Sequence, residues 1–191
     1  MTTNEIENIE QNVGRLPKSY RKWIEQGVTK DSAYNMYTLE WISSSHVLNV
    51  DIGQEEDVLK GILPIGVFHG VAFWCLDNTN EGRVILCPHD DIVADLYAPS
   101  VEGWLYRICL TEAANFCDED DVVQEQLQRW ASLLEGPKPN WAEHIKVLAQ
   151  AQVKNMGGHT GVIADEEVEA IIAKEFGSEY LTEKVMFLKP D

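Results

Sequence analysis

Apolar positions at the start of the chain recur at intervals of three and four. In "NEIENIEQNVGRLPKSYRKWIEQGV", Ile6, Ile9 and Val13 share one helical face, and Gly14 supplies a left-handed stop. Leu16-Pro17 restarts the chain, and Pro17 suits a first helical turn. Tyr20, Trp23 and Ile24 form a second stripe that Gly27 ends. The pattern predicts two short helices joined at a tight corner.

The period then changes. In "AYNMYTLEWISSS", Tyr34, Met36, Thr38, Glu40 and Ile42 alternate with Asn35, Tyr37, Leu39 and Trp41, which predicts a strand. "DIGQEEDVLKG" is polar and acidic and reads as a loop. Ile62–Ile65 is a short strand whose Pro64 favours an edge or entry position, and Gly66–Gly70 permits a bend. Val71–Asp77 and Arg83–Cys87 are β-rich runs around the turn residues "NTNEG", Asn78–Gly82, and predict an antiparallel hairpin with Trp74 buried.

Helical spacing returns at Ser100. Val101, Trp104, Leu105, Ile108, Cys109 and Ala113 form a stripe, and Ser100 is placed to cap it. "CDEDD" breaks the helix. Val123, Leu127, Trp130 and Leu134 mark another, stopped by Gly136-Pro137. "NWAEHIKVLAQAQV" and "DEEVEAIIAKEFG" add two more, and "NMGGHTG" between them reads as a hinge. Clustered strands between helices indicate an α+β fold with a mainly antiparallel sheet. The expected division is a core over residues 1–121 and a helical C-terminal extension over 122–191, packed on that core.

Composition narrows the function. The chain has 191 residues, 45% of them hydrophobic, enough for a sizeable core. Fifteen Lys and Arg face 32 Asp and Glu, for a net charge of −17. That balance disfavours nucleic acid and anionic lipid, since both are bound through Lys and Arg. It permits a basic protein partner. Met1 to Gln11 has neither the basic start nor the apolar run of a secretory leader, and no apolar run is long enough to span a bilayer. With four scattered cysteines and no C-x-x-C pair, the expected compartment is a reducing cytoplasm.

Several residues invite a chemical reading. Cys87 and His89 in "CPHDD" resemble half a zinc site, with Cys75 on the facing strand, but four ligands at workable spacing are wanting. Cys75 with His69 suggests a thiol and its base, but Trp74 and Leu76 beside Cys75 favour burial and an inert thiol. "GGHTG" lacks the Lys-Ser/Thr of a phosphate-binding loop, and the acidic knot Asp118–Asp121 lacks calcium-loop spacing. The expectation is therefore no enzyme, no metal and no cofactor.

The ordered motifs resemble the SUKH superfamily, which includes the Smi1/Knr4 proteins. "IEQNVGRLPKSYRKWIEQG" is similar to its opening helices, "LEWISSSHVL" to its first strand and "ILPIG" to its hairpin entry. "FWCLDNTNEGRVILCPHDD" is similar to the hairpin itself and "SVEGWLYRI" to the closing helix. The likeness runs from about Glu5 to Cys117. It departs at "VFHGVAF", where family members often carry a loop richer in glycine and acidic residues. The resemblance implies a non-enzymatic α+β protein-binding domain. Bacterial members are commonly immunity proteins against secreted toxins, many of them nucleases; a regulatory or scaffolding protein without a toxin is the alternative. A basic toxin domain would meet carboxylates clustered near the sheet: Glu55, Glu56 and Asp57, then Asp90, Asp91 and Asp95, with Asp118–Asp121 second. A monomer or weak homodimer is expected.

Overall fold

Where apolar residues recur at helical spacing, helices form. A computed structural model describes residues 2–50, 58–116, 120–134 and 138–189. Helix α1 (Thr2–Val13) buries Ile6 and Ile9, and Gly14 turns the chain at φ +85°. Pro17 sits just before helix α2 (Lys18–Glu25) rather than inside its first turn. Tyr20, Trp23 and Ile24 are buried, and Gly27 at φ +80° ends the element.

The strand expected across Tyr34–Ile42 is mostly absent. Only β1 (Glu40–Trp41) is a strand. Before it, Met36 and Leu39 exchange backbone hydrogen bonds of 2.8 and 3.1 Å, closing a two-residue turn with Tyr37 and Thr38 at its tip. Side chains take the groups that a longer strand would need. Asn35 Oδ1 accepts the Trp41 N–H at 3.1 Å, and buried Glu112 accepts the Thr38 N–H at 2.8 Å.

A meander follows: β2 (Ile62–Phe68), β3 (Ala72–Asp77), β4 (Arg83–Pro88) and β5 (Val93–Ala98). Each pairs antiparallel with the next. The expected hairpin is present, with Cys75 opposite Ile85 and Asp77 opposite Arg83. Strand β2 runs three residues past Ile65, and Pro64 lies beyond the stretch that β1 covers, since β1 pairs only with Gly66 and Val67. At Gly66 an added Cβ would lie 2.4 Å from Leu39 Cδ1 and 3.2 Å from the Glu40 carbonyl oxygen of β1, so a side chain there would crowd the β1–β2 pairing.

Helix α3 (Val101–Ala114) starts at Ser100, whose Oγ accepts the Gly103 N–H at 3.1 Å. Helices α4 (Asp120–Ala131) and α5 (Pro139–Leu148) pack on it. The "NMGGHTG" segment is a hairpin rather than a hinge: β6 (Lys154–Asn155) pairs with β7 (Thr160–Gly161), and Gly157 and Gly158 with positive φ form its turn. Helices α6 (Asp165–Glu175) and α7 (Glu179–Thr182) precede β8 (Lys184–Met186), which pairs with β5. The main sheet thus has six antiparallel strands in the order β1-β2-β3-β4-β5-β8. Beyond β8, Leu59 N–H donates to the Phe187 carbonyl at 3.0 Å and Val58 bridges Leu188, which ties the end of the described chain to the residues before β2.

Four tryptophans tie the layers together. Trp23 of α2 meets Trp41 of β1 at 6.0 Å, Trp41 meets Trp104 of α3 at 5.3 Å, and Trp104 meets Trp74 of β3 at 6.0 Å. Trp74 is 1% exposed, as its position in the hairpin predicts.

Candidate functional site

The two ends of the sheet are finished differently. At one end the β3–β4 turn is clamped to the corner between α1 and α2. Asn78 Nδ2 donates to the Val13 carbonyl at 2.8 Å, and Asn78 N–H donates to Gly61 at 2.9 Å. Gly82 lies so near Pro17 that an added Cβ would sit 2.8 Å from Pro17 Cγ. Asp77 closes the turn from within, accepting hydrogen bonds from Thr79, Asn80 and Arg83 Nε, the last at 2.8 Å. Burial pushes its carboxyl pKa up, but these donors and the Arg83 charge together hold it below the usual carboxylate value.

The opposite end is open. It carries the β2–β3 turn, the β4–β5 turn and the tip of the Met36–Leu39 turn. His69 N-terminal to Gly70 adopts φ +50°, and its ring lies 4.5 Å from Tyr37 and 4.3 Å from Phe68. His89 N–H reaches the Val71 carbonyl at 3.4 Å, joining the two turns, and its ring lies 4.7 Å from Phe73. The Phe187 N–H donates to the Ile92 carbonyl at 3.1 Å, which brings Met186 alongside. Six large hydrophobic side chains are exposed among the described residues, and four of them, Tyr37, Val71, Ile92 and Met186, gather at this end.

The carboxylates expected from the sequence divide three ways. Asp90 and Asp91 lie in the β4–β5 turn at the open end, beside Ile92. Asp91 Oδ1 also accepts the Ile92 and Val93 N–H groups at 2.7 and 3.2 Å, which fixes the turn. Asp95 is not in a loop but within β5, because the chain resumes pairing at Val93, and it meets Lys184 Nζ at 3.3 Å. Glu55, Glu56 and Asp57 lie outside the described residues, as do Asp118 and Glu119, while Asp120 and Asp121 open α4. Sequence reasoning missed Tyr37, Val71, Ile92 and Met186. The available signal for two of them was an apolar residue directly after turn residues, Gly70-Val71 and Asp91-Ile92.

The residues singled out for chemistry are not assembled for it. Cys75 is fully buried, while His69 is exposed at the turn. Burial drives the Cys87 thiol pKa well up, helped by neighbouring Cys75, and does the same to Cys109. His89 faces Phe73 at the surface, whereas Cys87 points into the core.

A model of the SMI1 / KNR4 family (SUKH-1) matches residues 1–107. The chain belongs to this family. No curated protein and no solved structure gives a match. The SUKH-1 match ends inside α3, so it includes both ends of the meander, the clamp and the Tyr37, Val71 and Ile92 part of the open end. The remainder of α3, helices α4 to α7 and strand β8 lie beyond it. In this SUKH-1 protein the later residues still reach the open end. Met186 belongs to it, and Gln126 Nε2 and Arg129 Nη1 of α4 donate to the carbonyls of Asn35 and Ala33, next to the Tyr37 turn.

Proposed function

We propose that this protein is a non-enzymatic binding module that acts as an immunity protein: it neutralises a secreted or contact-delivered toxin, with nucleases the leading class, by direct contact through the open end of the sheet. The observation that carries the reading is the concentration of Tyr37, Val71, Ile92 and Met186 beside Asp90 and Asp91. Apolar anchors with a charged rim are the anatomy of a protein interface. A net charge of −17 favours a basic partner, and a toxin that grips phosphates presents such a surface. Membership of SUKH-1 agrees with a protein-binding role.

The test is co-expression with candidate toxin domains, including any encoded by neighbouring genes. Survival of cells carrying the parent protein, and death of cells carrying a folded Val71→Asp, Ile92→Asp double variant, is the expected result. Equal protection by both moves the interface elsewhere. Absence of any protected toxin favours the regulatory or scaffolding alternative.

A further inference from the structure

A cleft of about 280 Å³ opens beside the Tyr37 turn, lined by Asn35, Met36, Tyr37, Glu40, Val67, His69 and Gly70. Two aromatic rings, Tyr37 and His69, stand against each other at 67° on one side. Glu40 supplies a carboxylate on an exposed stretch of β1. The turn that carries Tyr37 is held in advance. Thr38 is tied by buried Glu112 through its N–H and its hydroxyl, at 2.8 and 2.5 Å, and Trp74 Nε1 donates to its carbonyl at 2.9 Å. His69 beside it holds a φ of +50°, a backbone conformation that residues other than glycine seldom take. The basic residue of α4 nearest in the chain of contacts, Arg129, is occupied by the Ala33 carbonyl and does not line the cleft.

We infer that this cleft receives an arginine side chain of the partner protein, with the guanidinium against the Tyr37 and His69 rings and its N–H groups toward Glu40. The inference rests on the reading of the open end as a partner-binding surface and names the group recognised there. Aromatic faces attract a cation through their ring quadrupole, and a carboxylate at the same site adds charge and hydrogen-bond acceptors. Arginine fits better than lysine because its planar fork stacks on a ring and pairs with a carboxylate at once, while an ammonium is a compact, strongly hydrated point charge. A rigid cleft lowers the ordering cost of the contact.

The experiment is a two-dimensional NMR titration of the full chain with N-acetyl-arginine amide, following the Tyr37 and His69 ring protons. Saturable shifts are expected with the arginine compound, and weaker ones with N-acetyl-lysine amide. The neutral isostere N-acetyl-citrulline amide should give none. Glu40→Gln, an exposed change that leaves the fold intact, should weaken binding about threefold to tenfold. Equal responses to arginine and citrulline, or an unchanged affinity in E40Q, would overturn the assignment. The titration needs no toxin. A functional cleft in a protein that protects against nothing sinks the immunity reading alone, and protection without arginine binding sinks this one alone.

Discussion

Asp77 shows how one side chain fastens an element. It is 3% exposed yet satisfied by Thr79, Asn80 and Arg83. Its folded pKa lies below its unfolded one, so its contribution is present above the ordinary carboxylate range, near about 3.9, and is lost as pH falls through the folded value. Asp77→Asn should therefore cost about 1–3 kcal/mol at neutral pH, and urea denaturation should show the gap to the parent shrinking in acid. A gap that stays constant on acidification would mean that the charge is not what matters. Trp74 acts through volume as well as its hydrogen bond to Thr38. Trp74→Ala should cost about 3–5 kcal/mol by the same measurement and should also broaden the Tyr37 ring signals, because the turn loses its floor.

Elements differ in how far the sequence announces them. The β3–β4 hairpin is legible because two β-rich runs flank a cluster of residues that turns favour, and α3 is legible from its cap and stripe. Strand β8 is three residues long, too short for alternation to register, and it exists because β5 offers it an edge. Strand β5 hides its alternation behind a register shift opposite Val84 and Ile85, which leaves Tyr97 unpaired between Leu96 and Ala98. The Met36–Leu39 turn reads as strand because aromatic and β-branched residues are frequent in Tyr34–Ile42, and the tertiary partners Glu112 and Trp74 override that pattern. The open surface was half visible: Asp90 and Asp91 stand out as charge, while their apolar neighbours only acquire meaning once the turns converge. Close packing between elements gives a further test. At Gly161 an added Cβ would lie 2.2 Å from the Ala114 carbonyl oxygen, and the Val162 N–H donates to Ala113 at 2.8 Å. Gly161→Ala should lower the melting temperature and raise hydrogen exchange in the β6–β7 hairpin and at the end of α3, with β2–β4 protection changed least.

At the scale of the whole molecule, charge and shape act together. An excess of 17 negative charges gives a long-range field, while the open end exposes apolar side chains that the proposed partner would cover at short range. Association with a basic toxin should slow as salt rises, and the Asp90→Lys, Asp91→Lys double variant should reduce the association rate more than it speeds dissociation; stopped-flow or surface binding kinetics distinguish the two. A salt-independent rate would leave the acidic balance as a matter of solubility alone. The late pairing of β8 with β5, extended by Phe187 and Leu188 against Leu59 and Val58, bears on how the protein is made. During synthesis the β2–β5 meander leaves the ribosome long before Lys184–Met186, so one margin of β5 must wait, unpaired, through the emergence of some eighty-five residues. An unpaired strand margin invites pairing with another nascent chain. Chains halted before residue 184 should therefore collect in aggregates or on chaperones, and emergence of Lys184–Met186 should be the moment at which the β5 margin becomes resistant to protease.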